Sequence, residues 1–298
     1  MTLRSGEIYF SEQDSSLNVP ETISLFGLSI SFYGLFLVVA TLIGIIVTIK
    51  IARRKRQDAE WSLMLITLTI VSALLGARLY YVLFEWQVFL REPIALLDFR
   101  SGGLSYFGAL FGAWFMIKWY CRRKGVEFAR DADTLCIGAA AATPLVWAGC
   151  AFMREPIGRF YDGLFAMRIG MEYLPQDMNV VYSEELISNA RNIRTISCVS
   201  MHPVAVYGVI ISIVAFVILC FYMHFEKQEG ATFVMYLFLN AVTCIVLECF
   251  RADRSYIWGT EIPVNYVVAG VIVLVIVIGW IRQFMMNKKR KRNIFTKG

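Results

Sequence analysis

At 298 residues, 58% hydrophobic and only 17% charged, the chain departs from the soluble balance of about half apolar and a quarter charged, which excludes an ordinary water-soluble domain. Its net charge of +6 does not speak for nucleic acid, because the basic residues gather beside the ends of apolar runs, where the positive-inside rule places them. Seven cysteines give no CxxC pair and no metal-ligand spacing; most (Cys136, Cys150, Cys220, Cys244, Cys249) fall inside apolar runs as small packing residues, and neither metal nor cofactor is called for.

Residues 1–27 read as an external N-terminal segment that lacks the basic start, apolar core and small-residue cleavage site of a secretory signal. Over residues 23–32 apolar and small polar residues alternate, which predicts a short extended or interfacial piece leading into the first span. Crossing about 30 Å of hydrocarbon takes about 20 apolar residues, and seven runs qualify, near 28–49, 61–84, 103–121, 134–153, 203–225, 231–250 and 262–284. Glycines, Pro144 and an alanine cluster interrupt the third and fourth. Basic clusters follow spans 1, 3, 5 and 7, at Lys50–Arg56, Arg122–Lys124, Lys227 and Lys288–Arg292, and alternating spans put all four on one side. That side is expected to be cytoplasmic, with the N-terminus outside and the C-terminus inside.

The expected fold is therefore an all-α integral membrane protein of about seven transmembrane helices. Residues 28–285 form the membrane domain, a small external head occupies about 154–200 between spans 4 and 5, and 286–298 form a basic cytoplasmic tail.

Ionisable side chains at membrane depth are expensive and mark candidate sites. Arg78, well inside span 2, calls for a phosphate or a carboxylate. Glu248 and Arg251 are spaced i, i+3 at the outer end of span 6, so they can meet on one helix face, and the apolar run before them turns Glu248 toward the bundle interior. Glu155 and Arg159, beside Arg154, follow span 4 in a turn forced by Pro156 and Gly158; arginines there suit a phosphate headgroup as well as simple interfacial anchoring. His202, opening span 5 in His202-Pro203, is the only imidazole near the outer mouth and reads either as a proton acceptor or as a helix-capping group. Tyr33 and Asn265 are weaker polar candidates. A transporter would want polar residues along a path through several spans, and few occur in the cytoplasmic halves.

In order, the chain carries Ser31-Phe-Tyr33-Gly-Leu, Gly76-Ala-Arg78, the run Gly102-Gly103-Leu-Ser-Tyr-Phe107-Gly108-Ala-Leu-Phe-Gly112, the segment Gly149 to Gly158 with Glu155, His202-Pro203 to Tyr207, and Glu248 to Arg251. This series resembles the prolipoprotein diacylglyceryl transferase family over nearly the whole chain. The resemblance implies transfer of the diacylglyceryl group of phosphatidylglycerol to the lipobox cysteine thiol of a prolipoprotein signal peptide, with release of glycerol phosphate. It implies work in the bacterial cytoplasmic membrane, near its outer face. It places Tyr33, Arg78, Glu155, Glu248 and Arg251 around the lipid; taken with the residue reading, His202, Glu248 and Glu155 are the candidate catalytic groups, and Tyr33, Arg78, Gly102, Gly103, Gly108, Arg159 and Arg251 the candidate substrate-binding ones.

The chain departs from that pattern at Phe107, where the family commonly carries histidine, and at Trp147 and Cys244, where it carries arginine. It departs also at Cys150, often an asparagine, and at Gly208, usually a glutamate. A family member that binds phospholipid or a lipoprotein precursor without reacting is the alternative these departures leave open.

Overall fold

The computed structural model describes residues 5–9, 16–20, 22–25, 28–84, 86, 105–170, 198–225, 228–254, 256, 260 and 262–295. Among them are seven long helices: α1 Phe32–Arg54, α2 Ala59–Phe84, α3 Tyr106–Lys124, α4 Phe128–Met153, α5 Val204–Phe225, α6 Ala231–Phe250 and α7 Val264–Phe295. All but α3 are long and apolar enough to cross a membrane. The third expected span falls short because Lys118, Arg122, Arg123 and Lys124 load its second half with charge. By contrast α4 runs unbroken through Pro144. Spanning helices hold their backbone hydrogen bonds internally, so their sequences need only be apolar. Large apolar side chains accordingly face outward on them, among them Leu42, Val71, Leu79, Ile210, Phe221 and Leu274.

The chain forms two compact units, one of Met1–Thr41, Ala142–Val217 and Leu237–Gly298, the other of Leu42–Ala141 and Ile218–Tyr236.

In the first unit six short strands precede or follow the helices: β1 Ser5–Tyr9, β2 Ser16–Pro20, β3 Thr22–Leu25, β4 Leu28–Ser31, β5 Met167–Gly170 and β6 Cys198–Met201. The expected extended entry piece is the antiparallel hairpin β3–β4, with Thr22 opposite Ser31. Its last residue caps α1, the Ser31 Oγ accepting the Gly34 N–H at 3.1 Å, the ordinary way to satisfy a free donor at a helix start. The other four strands make one antiparallel sheet in the order β2-β1-β5-β6, so the N-terminal segment joins the segment that follows α4. Of the expected external head, residues 171–197 lie outside the described residues.

A strap of extended backbone decides where the polar groups of this unit go. Beyond α4, residues 157–161 run between the end of α6 and the start of α5. On one edge the Arg159 N–H donates to the Phe250 carbonyl at 2.7 Å and the Ala252 N–H to the Ile157 carbonyl at 2.8 Å; on the other the His202 N–H donates to the Arg159 carbonyl at 2.9 Å and the Tyr161 N–H to that of Ser200 at 3.3 Å. Gly158 is needed in the strap because a Cβ there would meet the His202 carbonyl oxygen.

In the second unit α2 and α3 pack backbone to backbone. A Cβ on Gly108 would run into the Gly76 carbonyl oxygen and the Tyr80 side chain, and one on Gly112 into the Ser72 carbonyl. Small residues at this spacing are how membrane helices approach closely. The Ser72 hydroxyl donates to the Gly112 carbonyl across the seam at 2.9 Å. Two carboxylates are buried elsewhere in this unit. Asp131 accepts from Trp61 Nε1 at 3.1 Å and Gln57 Nε2 at 3.3 Å, with the Cys121 thiol at 3.6 Å. Asp133 accepts the Gly230 and Phe233 backbone N–H groups, both at 2.7 Å, and so caps the start of α6.

Candidate active site

The strap brings Glu155, Arg159, His202, Glu248 and Arg251 to one end of the first unit. Glu248, on the last turn of α6, is 1% exposed. Its Oε2 accepts from Arg251 Nη1 at 3.2 Å and from Asn265 Nδ2 at 2.9 Å, so the i, i+3 pair forms as the spacing predicts. Its Oε1 is buried with no partner among the described residues. A buried carboxylate oxygen left bare costs free energy unless a donor reaches it.

Arg251 also donates through Nε to Asp253 Oδ1 and through Nη2 to the Asp253 carbonyl, each at 3.1 Å. Burial works against its charge, but Asp253 and Glu248 outweigh that and push the guanidinium pKa up, so Arg251 is a fixed, permanent cation. Arg254 closes α6, its Nη2 donating to the Glu248 and Cys249 carbonyls at 2.6 and 3.3 Å, which complements the negative helix end.

Glu155 follows α4 with its side chain accessible, and so does Arg159. Protein packed around Glu155 pushes its carboxyl up from the ordinary value; Asp253 adds to the rise and Arg251 opposes it. Between α4 and Glu155, Arg154 is buried at 5% exposure with a φ of 59°. That left-handed conformation costs a non-glycine residue roughly 1–3 kcal/mol, so its large side chain is kept against the backbone's preference.

The His202 ring stacks on Tyr161 at 4.2 Å between centroids, meets Phe250 edge-on at 5.1 Å, and holds its Nδ1 3.2 Å from the Tyr207 hydroxyl. Burial lowers its pKa, and Nε2 has no hydrogen-bond partner among the described residues. Tyr33, on the first turn of α1, packs on the backbone of α4, where a Cβ on Gly149 would sit 3.2 Å from its ring.

Arg78 and Gly108 belong to the second unit. Arg78 is 5% exposed, with its guanidinium 5.9 Å from the Tyr81 ring centroid. Gly108 serves the α2–α3 seam. Gly102 and Gly103 lie outside the described residues. Among the described residues no three His, Cys, Asp or Glu side chains gather as metal ligands.

Asp253, Arg254 and the full role of Asn265 were missed by sequence reasoning. The first two carried a signal, since Arg251-Ala-Asp253-Arg254 is a dense charge run at the end of an apolar span. Asn265 was a lone amide at the start of another.

The family model of prolipoprotein diacylglyceryl transferase matches residues 20–282. The chain belongs to this family. It is 28% identical over 273 residues to the phosphatidylglycerol–prolipoprotein diacylglyceryl transferase of Clostridioides difficile (strain 630), a match covering 91% of this chain and 96% of that protein. Proteins of the same name from Finegoldia magna and Listeria welshimeri are 25% and 24% identical, over 84% and 90% of this chain and 92% and 91% of their own lengths.

Three of the positions read above as departures from the family's pattern, Phe107, Trp147 and Gly208, have a structural account. Phe107 is 7% exposed and packs edge-on to Tyr106 at 5.6 Å, a core position in the second unit rather than a lipid-facing one. Trp147 and Gly208 depart together and touch: the indole fills the space a side chain at 208 would need. These replacements leave the Glu248–Arg251–Asp253 network intact.

Proposed function

We propose that this chain transfers the diacylglyceryl group of phosphatidylglycerol to the cysteine thiol of a prolipoprotein, at a site assembled by the strap between α4, α5 and α6. The observation that carries the proposal is the buried Glu248 carboxylate, tied through one oxygen to a permanently charged Arg251 and bare on the other. Such a group is poised for a hydrogen-bond donor of the substrate, and the glyceryl headgroup supplies hydroxyls.

The reaction is a substitution at carbon. The thiol gives its proton to a base, the thiolate sulfur forms a bond to the glyceryl carbon that carries the phosphate, that carbon's C–O bond breaks, and glycerol phosphate leaves with the proton finally on its phosphate. Glu155 is assigned the proton. It is accessible, and its raised pKa makes it a stronger base than an ordinary carboxylate. Arg251 and Arg159 take the phosphate, whose charge grows as the C–O bond breaks. His202 faces the same substrate with its Nε2 and hands a hydrogen bond to a phosphate oxygen or shares in proton removal. Tyr33 is assigned to the lipid as well.

The positive-inside pattern supports an N-terminus outside, a C-terminus in the cytoplasm and a site near the outer face of a bacterial cytoplasmic membrane. A secreted precursor with a lipobox cysteine reaches its thiol to that face. Incubating the purified chain with phosphatidylglycerol and a lipobox peptide should add one diacylglyceryl mass to the peptide's cysteine. No added mass, with phospholipid still retained on the protein, would overturn the transferase assignment in favour of a family member that binds without reacting.

A further inference from the structure

Trp147 and Gly208 form a contact that the proton and phosphate steps do not use. A Cβ at Gly208 would lie 2.6 Å from Cε3 and 2.8 Å from Cγ of the Trp147 indole, so only glycine lets the ring rest on the α5 backbone. The seat holds a large side chain in one orientation. The ring is half-buried, and its Nε1–H has no acceptor among the described residues. In surroundings of low polarity an N–H left without an acceptor is unfavourable, and a bound molecule that offers an oxygen recovers the loss.

The position of the ring says which oxygen. Trp147 lies six residues before the end of α4 at Met153 and Gly208 four residues after the start of α5 at Val204, roughly 9 and 6 Å of rise, and Gly208 follows Tyr207, whose hydroxyl engages His202. The layer between phosphate and hydrocarbon is about 5–8 Å thick on each face of a bilayer. A phosphate held at Arg159 and Arg251 therefore sets its glyceryl esters and first chain carbons at the level of the indole, whose amphipathic ring favours that layer.

We infer that Trp147 is a specificity-determining residue of the lipid site: seated on Gly208, it donates its indole N–H to an ester carbonyl of a diacyl glycerophospholipid. The inference rests on the assignment of such a lipid as substrate in the preceding section.

The test compares diacyl phosphatidylglycerol with its dialkyl ether analogue, which has the same headgroup and chain length but no ester carbonyls. Native mass spectrometry of the full-length protein in detergent measures both affinities, and the peptide assay gives kcat and KM. The expected result is a preference of about fivefold for the diacyl lipid, the scale of one hydrogen bond. Trp147→Phe should abolish it by weakening the diacyl lipid alone, raising KM and leaving kcat nearly unchanged. Gly208→Ala, which unseats the indole, should do the same, and keeps the test decisive if one variant elutes as aggregate. Equal affinities in the wild type, a preference that survives Trp147→Phe, or binding of neither lipid would overturn the inference. A preference that behaves as expected in a protein that transfers nothing would sustain it and sink the transferase assignment instead; transfer without the preference would do the reverse.

Discussion

Two pairs of carboxylates in this molecule sit at the ends of apolar helices and are treated in opposite ways. Asp131 and Asp133, in the second unit, spend their oxygens on fixed donors of the protein: an indole, an amide, a thiol and two backbone N–H groups at the start of α6. Glu155 and Glu248, in the first unit, do not. One is accessible with its pKa pushed up, and the other is buried with one oxygen unused. The cost of an ionisable group near the membrane is thus offset by structure in one region and left for a substrate in the other. Burial does not separate the two uses, since Asp133 and Glu248 are 3% and 1% exposed; hydrogen-bond saturation does.

The largest effect should come from Glu155. Glu155→Gln keeps the size of the side chain and removes its ability to accept a full proton, so kcat/KM in the peptide assay should fall about 10²–10⁴-fold while the thermal unfolding profile stays put. A loss under tenfold would take the proton away from Glu155. Asp133→Ala should show the converse. Two buried N–H groups at the start of α6 lose their acceptor, which costs about 1–3 kcal/mol each, so Tm drops while activity per folded molecule holds. Lost transfer in the folded Asp133→Ala protein would break the contrast between the two pairs.

Much of this was legible in the sequence, and what was not has a common cause. Hydropathy located six helices long and apolar enough to span, the alternation at 23–32 marked extended chain though not its folding into the β3–β4 hairpin, and the i, i+3 spacing gave the Glu248–Arg251 pair, because each is a local pattern. The strap was not legible. Its residues 157–161 pair with Phe250–Ala252 and Ser200–His202 through backbone groups, which leave no periodicity to read. The seating of Trp147 on Gly208 is likewise a meeting of two helices that neither helix announces. Asp131 and Asp133 drew no notice because their donors, Trp61, Gln57 and the start of α6, come from distant parts of the chain.

The pH profile sharpens the comparison further. Glu155 works as the carboxylate, so kcat/KM should be level above its pKa and fall tenfold per pH unit below it. Since burial and Asp253 both raise that pKa, the fall begins at higher pH than an ordinary glutamate near 4.3 would give. Asp253→Asn removes a like charge and should move the fall to lower pH. If the fall stays in place with Asp253→Asn but vanishes with His202→Ala, the proton belongs to His202.

The smallest expected effect tests how saturated the structural pair is. Trp61→Phe deletes the indole N–H that reaches Asp131 at 3.1 Å but retains an aromatic ring to stack on Tyr120, now 5.1 Å away. Asp131 still has Gln57 and Cys121, so one hydrogen bond to a charged group is lost without orphaning the carboxylate, a change of about 1–3 kcal/mol. Tm should fall modestly and transfer per folded molecule should not change. Asp133→Ala orphans two donors at once, and its drop should be clearly greater than that of Trp61→Phe. Equal drops would mean that Asp131 depends on its indole far more than its three donors imply, and the saturation that distinguishes this pair from Glu155 and Glu248 would be confined to Asp133.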